Sequence, residues 1–148
     1  MPEIRRLGPE DSATARQVNA LFAQAFDDRE SYLGNPPSDS YLAARLADEG
    51  FILLAAWMDD ELSGALAAYE LLKFEQERSE IYIYDLAVAE PFRRRGIATA
   101  LIEALRPIAI RRGAWVIYVQ ADLTDPPAIA LYEQLGSRED VLHFDIAP

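Results

Sequence analysis

This sequence predicts an α/β fold, one central mixed sheet flanked by helices. Three observations carry that expectation. Runs rich in β-branched and aromatic residues recur at 51–58, 80–88 and 115–119, which is strand composition. Segments with helical spacing alternate with these runs. The chain has 148 residues, enough for one domain with a real core and too few for two, so 1–148 is expected to form a single domain.

The elements follow in order. Ile4, Arg5, Arg6 and Leu7 form a short first strand that Gly8-Pro9-Glu10-Asp11 breaks with turn chemistry. Leu21, Phe22, Ala25 and Phe26 share one apolar helical face, so a first helix follows. Residues 27–38 hold three acids, Gly34 and Pro36-Pro37 and read as a loop, after which Ser38 or Asp39 caps a helix carrying Tyr41, Leu42 and Leu46. The run 51–58 is apolar on both faces, turns at Asp59-Asp60-Glu61 and pairs with 62–72 as a hairpin. The segment 80–88 is a strand. Residues 96–112 are helical, with Ile97, Leu101, Ile102, Leu105 and Ile108 for a buried side and Pro107 interrupting. Gly113 ends that helix, 115–119 is a buried strand, Asp125-Pro126-Pro127 starts a last helix through Leu135-Gly136, and a final strand is expected over 141–146.

Composition excludes several function classes. The chain contains no cysteine, which removes disulfides, zinc-thiolate sites and cysteine nucleophiles, and a single histidine, His143, is too little for a histidine metal cluster. No metal is expected. Lys plus Arg number 14 against 25 Asp plus Glu, a net charge of -11, which argues against nucleic acid and fits a cationic small molecule better. The longest apolar runs fall far short of a membrane span and residues 1–20 lack a leader pattern, so a soluble, cytoplasmic protein without a membrane partner is expected.

Against that acidic background, Arg93, Arg94 and Arg95 stand consecutively between a strand end and Gly96-Ile97-Ala98-Thr99. Strand, basic loop, glycine and small-residue helix start are how a chain cradles a pyrophosphate: backbone N–H groups and the helix dipole, about half a positive charge, point at the anion. Gly96 leaves room for close backbone approach and Ala98 keeps the next turn small.

This segment, with Leu86-Ala87-Val88 before it, resembles the signature of the GNAT superfamily of acetyl-CoA-dependent N-acetyltransferases. Ala130-Leu131-Tyr132-Glu133-Gln134-Leu135-Gly136 resembles the late helix of the same family. The stretches 73–88, 114–122 and 143–146 are similar to the type I aminoglycoside 3-N-acetyltransferases that confer gentamicin resistance. The resemblance implies acetyl-CoA as co-substrate, bound by Leu86, Ala87, Val88, Arg93, Arg94, Arg95, Gly96, Ile97, Ala98 and Thr99. It implies strand-like bonds from Leu86 to Val88 to the pantetheine, the Val88 N–H facing the acetyl carbonyl, and Tyr132 as the acid for the departing thiolate. Twelve residues follow Gly136, where the superfamily has two closing strands, so a strand is short, missing or supplied by a partner, which favours a homodimer.

The acceptor amine is an ammonium at neutral pH and needs a base. Asp85 ranks first and Glu80 second, with Tyr82 and Tyr84 to hold a water. Regular alternation sets Glu80, Tyr82 and Tyr84 on one face and Asp85 on the other, a count that a bulge would break. A polycationic acceptor needs several carboxylates, for which Asp122, Glu139, Asp140 and Asp145 are candidates, with Asp39 and Glu30 weaker; His143, two residues from Asp145, reads as a packed structural histidine ahead of a neighbour of the site. Two rival readings stand beside the aminoglycoside: a polyamine or other small amine, and a non-catalytic acetyl-CoA-binding module.

Overall fold

The computed structural model describes residues 1–148. The chain forms two compact units, 1–118 and 119–148. Five strands, β1 (Glu3–Arg6), β2 (Phe51–Met58), β3 (Glu61–Leu72), β4 (Ser79–Val88) and β5 (Ala114–Val119), make one mixed sheet in the order β1-β2-β3-β4-β5. Strands β1 to β4 pair antiparallel. The hairpin between β2 and β3 turns on Asp59 and Asp60, both with positive φ, the tight turn whose twist matches its strands.

Between β1 and β2 lie three helices, α1 (Ser12–Ala25), α2 (Arg29–Leu33) and α3 (Asp39–Ala47). The hydroxyl of Ser38 caps α3 by accepting from the Tyr41 N–H at 3.2 Å, as its sequence suggests. On one sheet face, Ala15, Val18 and Phe22 of α1 and Leu46 of α3 pack with Leu53, Ala55, Ala65, Ala67 and Ala87. The long helix α4 (Ile97–Arg112) also packs against β2, β3 and β4, burying Ile97, Leu101, Ile102, Leu105 and Ile108.

Three expectations are corrected. Residues 27–38 are not all loop, because Asp28 caps the short helix α2 by accepting from the Ser31 N–H at 3.1 Å. Pro107 does not interrupt α4, which continues to Arg112. The ring removes one donor, and the buried apolar side of the helix outweighs that loss. The final strand is absent. Residues 137–148 have no regular structure and are exposed throughout. An alternating pattern becomes a strand only with a ladder partner, and 119–148 contains no second strand.

The last helix, α5 (Pro126–Leu135), is capped by Asp125, whose carboxylate accepts from the Ala128 N–H at 3.3 Å. No helix of the chain is long and apolar enough to cross a membrane.

Candidate active site

The site is organised along β4. At its C-terminal end, Val88 passes through Ala89 and a 3₁₀ turn at Glu90–Phe92 into the arginine loop. The Ala89 N–H donates to the Ser63 carbonyl at 2.8 Å, and Arg93 donates from Nε to the Val88 carbonyl at 3.1 Å, which ties the loop to the strand end. Arg94 and Gly96 both hold positive φ, 64° and 77°, so the backbone coils back on itself just before Ile97 opens α4. Such alternation turns successive N–H groups toward one concavity. No side chain caps α4, leaving its first-turn donors facing outward with the dipole behind them. Arg93, Arg94, Arg95 and Gly96 are exposed, while Phe92 and Ile97 are buried and anchor the two ends of the loop.

Gly96 is required by conformation. A Cβ there would meet nothing within 4 Å, but φ of 77° is the left-handed region that a β-branched residue resists. Gly64 is required by space: a Cβ on it would lie 3.0 Å from the Ala87 carbonyl and 3.2 Å from Ile97 Cγ2. That glycine lets β3, β4 and the start of α4 close up behind the cradle. Sequence reading passed over it as an ordinary strand glycine. The chemistry of this loop fits a pyrophosphate: exposed guanidinium groups, a positive-φ turn and uncapped helix donors.

Four residues before Ala89 the strand is irregular. Asp85 pairs with Ala67 and Ile83 pairs with Ala68, so Tyr84 is the extra residue of a β-bulge. The bulge overturns the regular alternation count. Asp85 joins Tyr82 and Glu80 on one face, because one inserted residue flips everything after it. Tyr84 is pushed outward, yet its ring still meets Tyr82 at 5.6 Å between centroids and Tyr69 at 5.9 Å.

Asp85 is partly buried, and its Oδ1 accepts from the Tyr32 hydroxyl at 2.6 Å. Burial lifts the Asp85 carboxyl above the ordinary aspartate value, and the Tyr32 bond, which favours the charged form, pulls part of that shift back. Tyr32 comes from α2, the helix absent from the sequence reading, and its ring is set by Phe22 at 5.8 Å and Phe26 at 5.7 Å. Burial and the neighbouring Asp85 push the Tyr32 phenol well above its usual range, so it keeps the proton it donates. The signal for it was Asp28, a capping type three residues before Ser31, inside a segment whose Gly and Pro content outvoted it.

The remaining candidates belong to β4 itself, to other elements or to the 119–148 unit. Glu80 shares the Asp85 face, but its Oε2 accepts from the Trp115 indole N–H at 3.1 Å. Asp122, Glu139, Asp140 and Asp145 are exposed residues of the 119–148 unit. There Asp140 accepts from Arg138 at 2.8 Å and Asp145 is bonded to His143 at 2.8 Å, so two of the four already have a partner beside them in sequence. His143 is exposed rather than packed, against the sequence expectation. Tyr132 lies on α5. Burial, and after it the charge of Asp125, raises its phenol to about 12. No group of three or more His, Asp or Glu stands in a position to hold a metal.

The sequence matches the model of the acetyltransferase (GNAT) family over residues 16–137. The chain belongs to the GNAT family. An aminoglycoside acetyltransferase from an uncultured soil metagenomic sample is 55% identical, with 100% of this chain and 99% of that one covered at a TM-score of 0.97. A second soil aminoglycoside acetyltransferase, solved in complex with sisomicin, is 28% identical over 99% of this chain and 96% of its own, at a TM-score of 0.91. Among curated proteins, the N-alpha-acetyltransferase of Sulfurisphaera tokodaii is 29% identical over 96 residues, 57% of this chain and 58% of that protein. The [Ribosomal protein bS18]-alanine N-acetyltransferase of Escherichia coli is 28% identical over 86 residues, with 58% and 57% covered. The chain thus spans little more than half the length of these two curated relatives.

Proposed function

We propose that this chain works as one acetyl-CoA-dependent N-acetyltransferase domain whose acceptor is an aminoglycoside, modified at the 3-amino group of its deoxystreptamine ring, as in gentamicin. The observation that carries this reading is the sharing of one strand by two unlike sites: a partly buried Asp85 among tyrosines, and an anion cradle that begins a few residues later. The full-length match to an aminoglycoside acetyltransferase supports the choice of acceptor.

The roles follow from the geometry and the resemblance. Acetyl-CoA supplies the activated acyl group. Arg93 to Thr99 hold its pyrophosphate, and Leu86 to Val88 present strand-edge groups to the pantetheine. Asp85 takes the proton that makes the acceptor ammonium nucleophilic, directly or through a water held by Tyr82 and Tyr84. The free amine then attacks the thioester in a ternary complex while the Val88 N–H stabilises the developing oxyanion, and as the adduct collapses the C–S bond breaks and the nitrogen loses its second proton to solvent. Tyr132, whose phenol stays protonated throughout the working range, donates to the departing sulfur. Glu80 is the second choice of base, and its indole bond makes it the weaker one. Exposed Val141, Leu142, Phe144 and Ile146 are apolar surface that a second copy would cover, which supports a homodimer.

A second reading takes a peptide α-amine as acceptor, favoured by the curated relatives. A thiol-release assay with acetyl-CoA separates the readings, using gentamicin, sisomicin, spermidine and a peptide beginning with alanine. Turnover of the two aminoglycosides is the expected result. Turnover of the peptide alone, or of spermidine alone, overturns the aminoglycoside reading, and CoA binding with no release from any amine supports a non-catalytic module.

A further inference from the structure

Asp85 does not stand alone on its face of the sheet. Aromatic rings cross four strands in an unbroken line: Phe51 on β2, Tyr69 on β3, Tyr84 and Tyr82 on β4, and Tyr118 on β5. Successive centroids lie 5.2, 5.9, 5.6 and 4.7 Å apart, and the last pair is stacked with its planes 4° from parallel. With strands roughly 4.8 Å apart, the row extends over about 14 Å.

Core packing accounts for only part of this row. Phe51 packs against the apolar cluster under α1, and Tyr82 and Tyr118 are partly buried, but Tyr84 is 62% exposed and Tyr69 is 44% exposed. Adjacent open rings on a sheet face form an apolar surface left in water, and such surfaces mark binding sites. The bulge at Tyr84 has a second effect here: the insertion that turns Asp85 onto this face also stands the Tyr84 ring beside it.

We propose that this aromatic row is a ledge for a saturated, hydroxylated ring, which lays its C–H face on Tyr84 and Tyr69 while an amino group on its rim reaches Asp85. The inference rests on the acceptor reading above and adds how the acceptor is recognised. A tyrosine face is flat, apolar and electron-rich, so it attracts both C–H groups and ammonium groups, and the phenol at its edge exchanges hydrogen bonds with hydroxyls. A saturated ring bearing amines and hydroxyls presents all three partners at once.

The charges around the row give the ring a direction. Asp85 lies toward the β4 end. On the Tyr69 side stands Arg45 of α3, whose guanidinium lies 5.5 Å from the Tyr41 ring; burial and the charge of Asp85 raise the Tyr69 phenol, and Arg45 offsets part of that. Arg45 is also 3.7 Å from Asp48, which offsets part of its charge. Glu80, the other acid on this face, is engaged by Trp115. An amino group therefore belongs at the Asp85 end and hydroxyls at the Tyr69 end. A linear polyamine has cations along its whole length and no flat face, and a peptide N-terminus has one cation and no ring, so each would meet a single tyrosine through an ammonium without lying across the row.

Saturation-transfer NMR with trehalose, a neutral disaccharide, tests the ledge without turnover. Kinetics of Tyr84→Ala, Tyr69→Ala and Tyr84→Phe test it with turnover. Trehalose contact is expected in the wild type, lost in Tyr84→Ala and retained in Tyr84→Phe, which keeps the ring. It is also expected to persist in Asp85→Asn, because a neutral sugar does not need the carboxylate. KM for sisomicin should rise about fivefold to tenfold in each alanine variant, with kcat within about twofold in Tyr69→Ala, which lies outside the proton relay, and KM for any spermidine turnover should rise by less than about twofold. Two results overturn the ledge: no trehalose contact in the wild type, or equal rises in KM for sisomicin and spermidine. Failure of the acetyl-transfer reading looks different, since ring-dependent trehalose contact would then coexist with no amine turnover.

Discussion

The two ends of β4 are built in opposite ways. At the C-terminal end, the cradle is made by residues adjacent in sequence: three exposed arginines, two positive-φ residues and an uncapped helix start within a few positions. At the Asp85 end, the carboxylate is placed by a bulge against β3 and held by a tyrosine 53 positions away. Local backbone chemistry therefore sets the half that would take acetyl-CoA, and long-range packing sets the half that would take the acceptor. One consequence is that damage to each end should register in a different kinetic constant.

The largest effect is expected at the packed end. Asp85→Asn keeps the shape and the ability to bond Tyr32 but removes the proton acceptor, and kcat should fall by about 10² to 10⁴-fold. Acetyl-CoA affinity, measured by calorimetry, should hold. Equal losses in both would mean that Asp85 supports the fold of the whole strand rather than the acceptor alone.

Tyr132→Phe comes next. A thiolate is a good leaving group, its parent thiol having a pKa of about 8.5, so help from an acid belongs at the low end of that range, roughly 10² in kcat. Because the phenol is raised to about 12, wild-type activity should show no alkaline loss from this group below about that pH. An unchanged rate in the phenylalanine variant would remove Tyr132 from the chemistry.

At the cradle, Gly96→Val places a β-branched residue at a φ of 77°. The strain costs about 1–2 kcal/mol, so KM for acetyl-CoA should rise about fivefold to thirtyfold while kcat at saturation changes little. Gly96→Ala should do the same more weakly. If kcat fell with KM constant, the two ends of β4 would not be separable and the contrast between them would fail.

The same contrast explains what could be read in advance. The arginine loop, Gly96, the Asp59-Asp60 turn and the Ser38 cap are local devices, and each stands where its residue types suggest. The alternation along β4 could not settle the Asp85 face, because a bulge is decided by the pairing partner and not by the strand itself. Helix α2 was hidden because Gly34 and Pro36-Pro37 dominate its segment, and with it went Tyr32. The expected strand at 141–146 has the right alternation, but pairing is a property of two segments. Two of the acidic candidates near the C-terminus have local partners, Arg138 two residues from Asp140 and His143 two from Asp145, which composition and alternation alone did not reveal.

Tyr32→Phe should produce the smallest effect and the most diagnostic one, because it separates the two influences on Asp85. Burial raises the carboxyl, whereas the Tyr32 hydroxyl bonds the charged form and lowers it. As a base, Asp85 works only when ionised, so kcat rises with pH through its pKa. Removing the hydroxyl leaves burial unopposed, and the acidic limb should therefore move to higher pH. A hydrogen bond to a charged group is worth about 1.5–3 kcal/mol, of which solvent replacement returns part, so a shift of about one pH unit is expected. Rates on the acidic side should fall up to about tenfold, and the plateau above the limb should stay near wild type. A limb set by the acceptor's own ammonium would move with the acceptor and not with the variant, so the profile is measured with two aminoglycosides of different basicity. A shift to lower pH, or none, would mean that the 2.6 Å bond orients Tyr32 for some other purpose and that Glu80, despite its indole partner, is the base to test next.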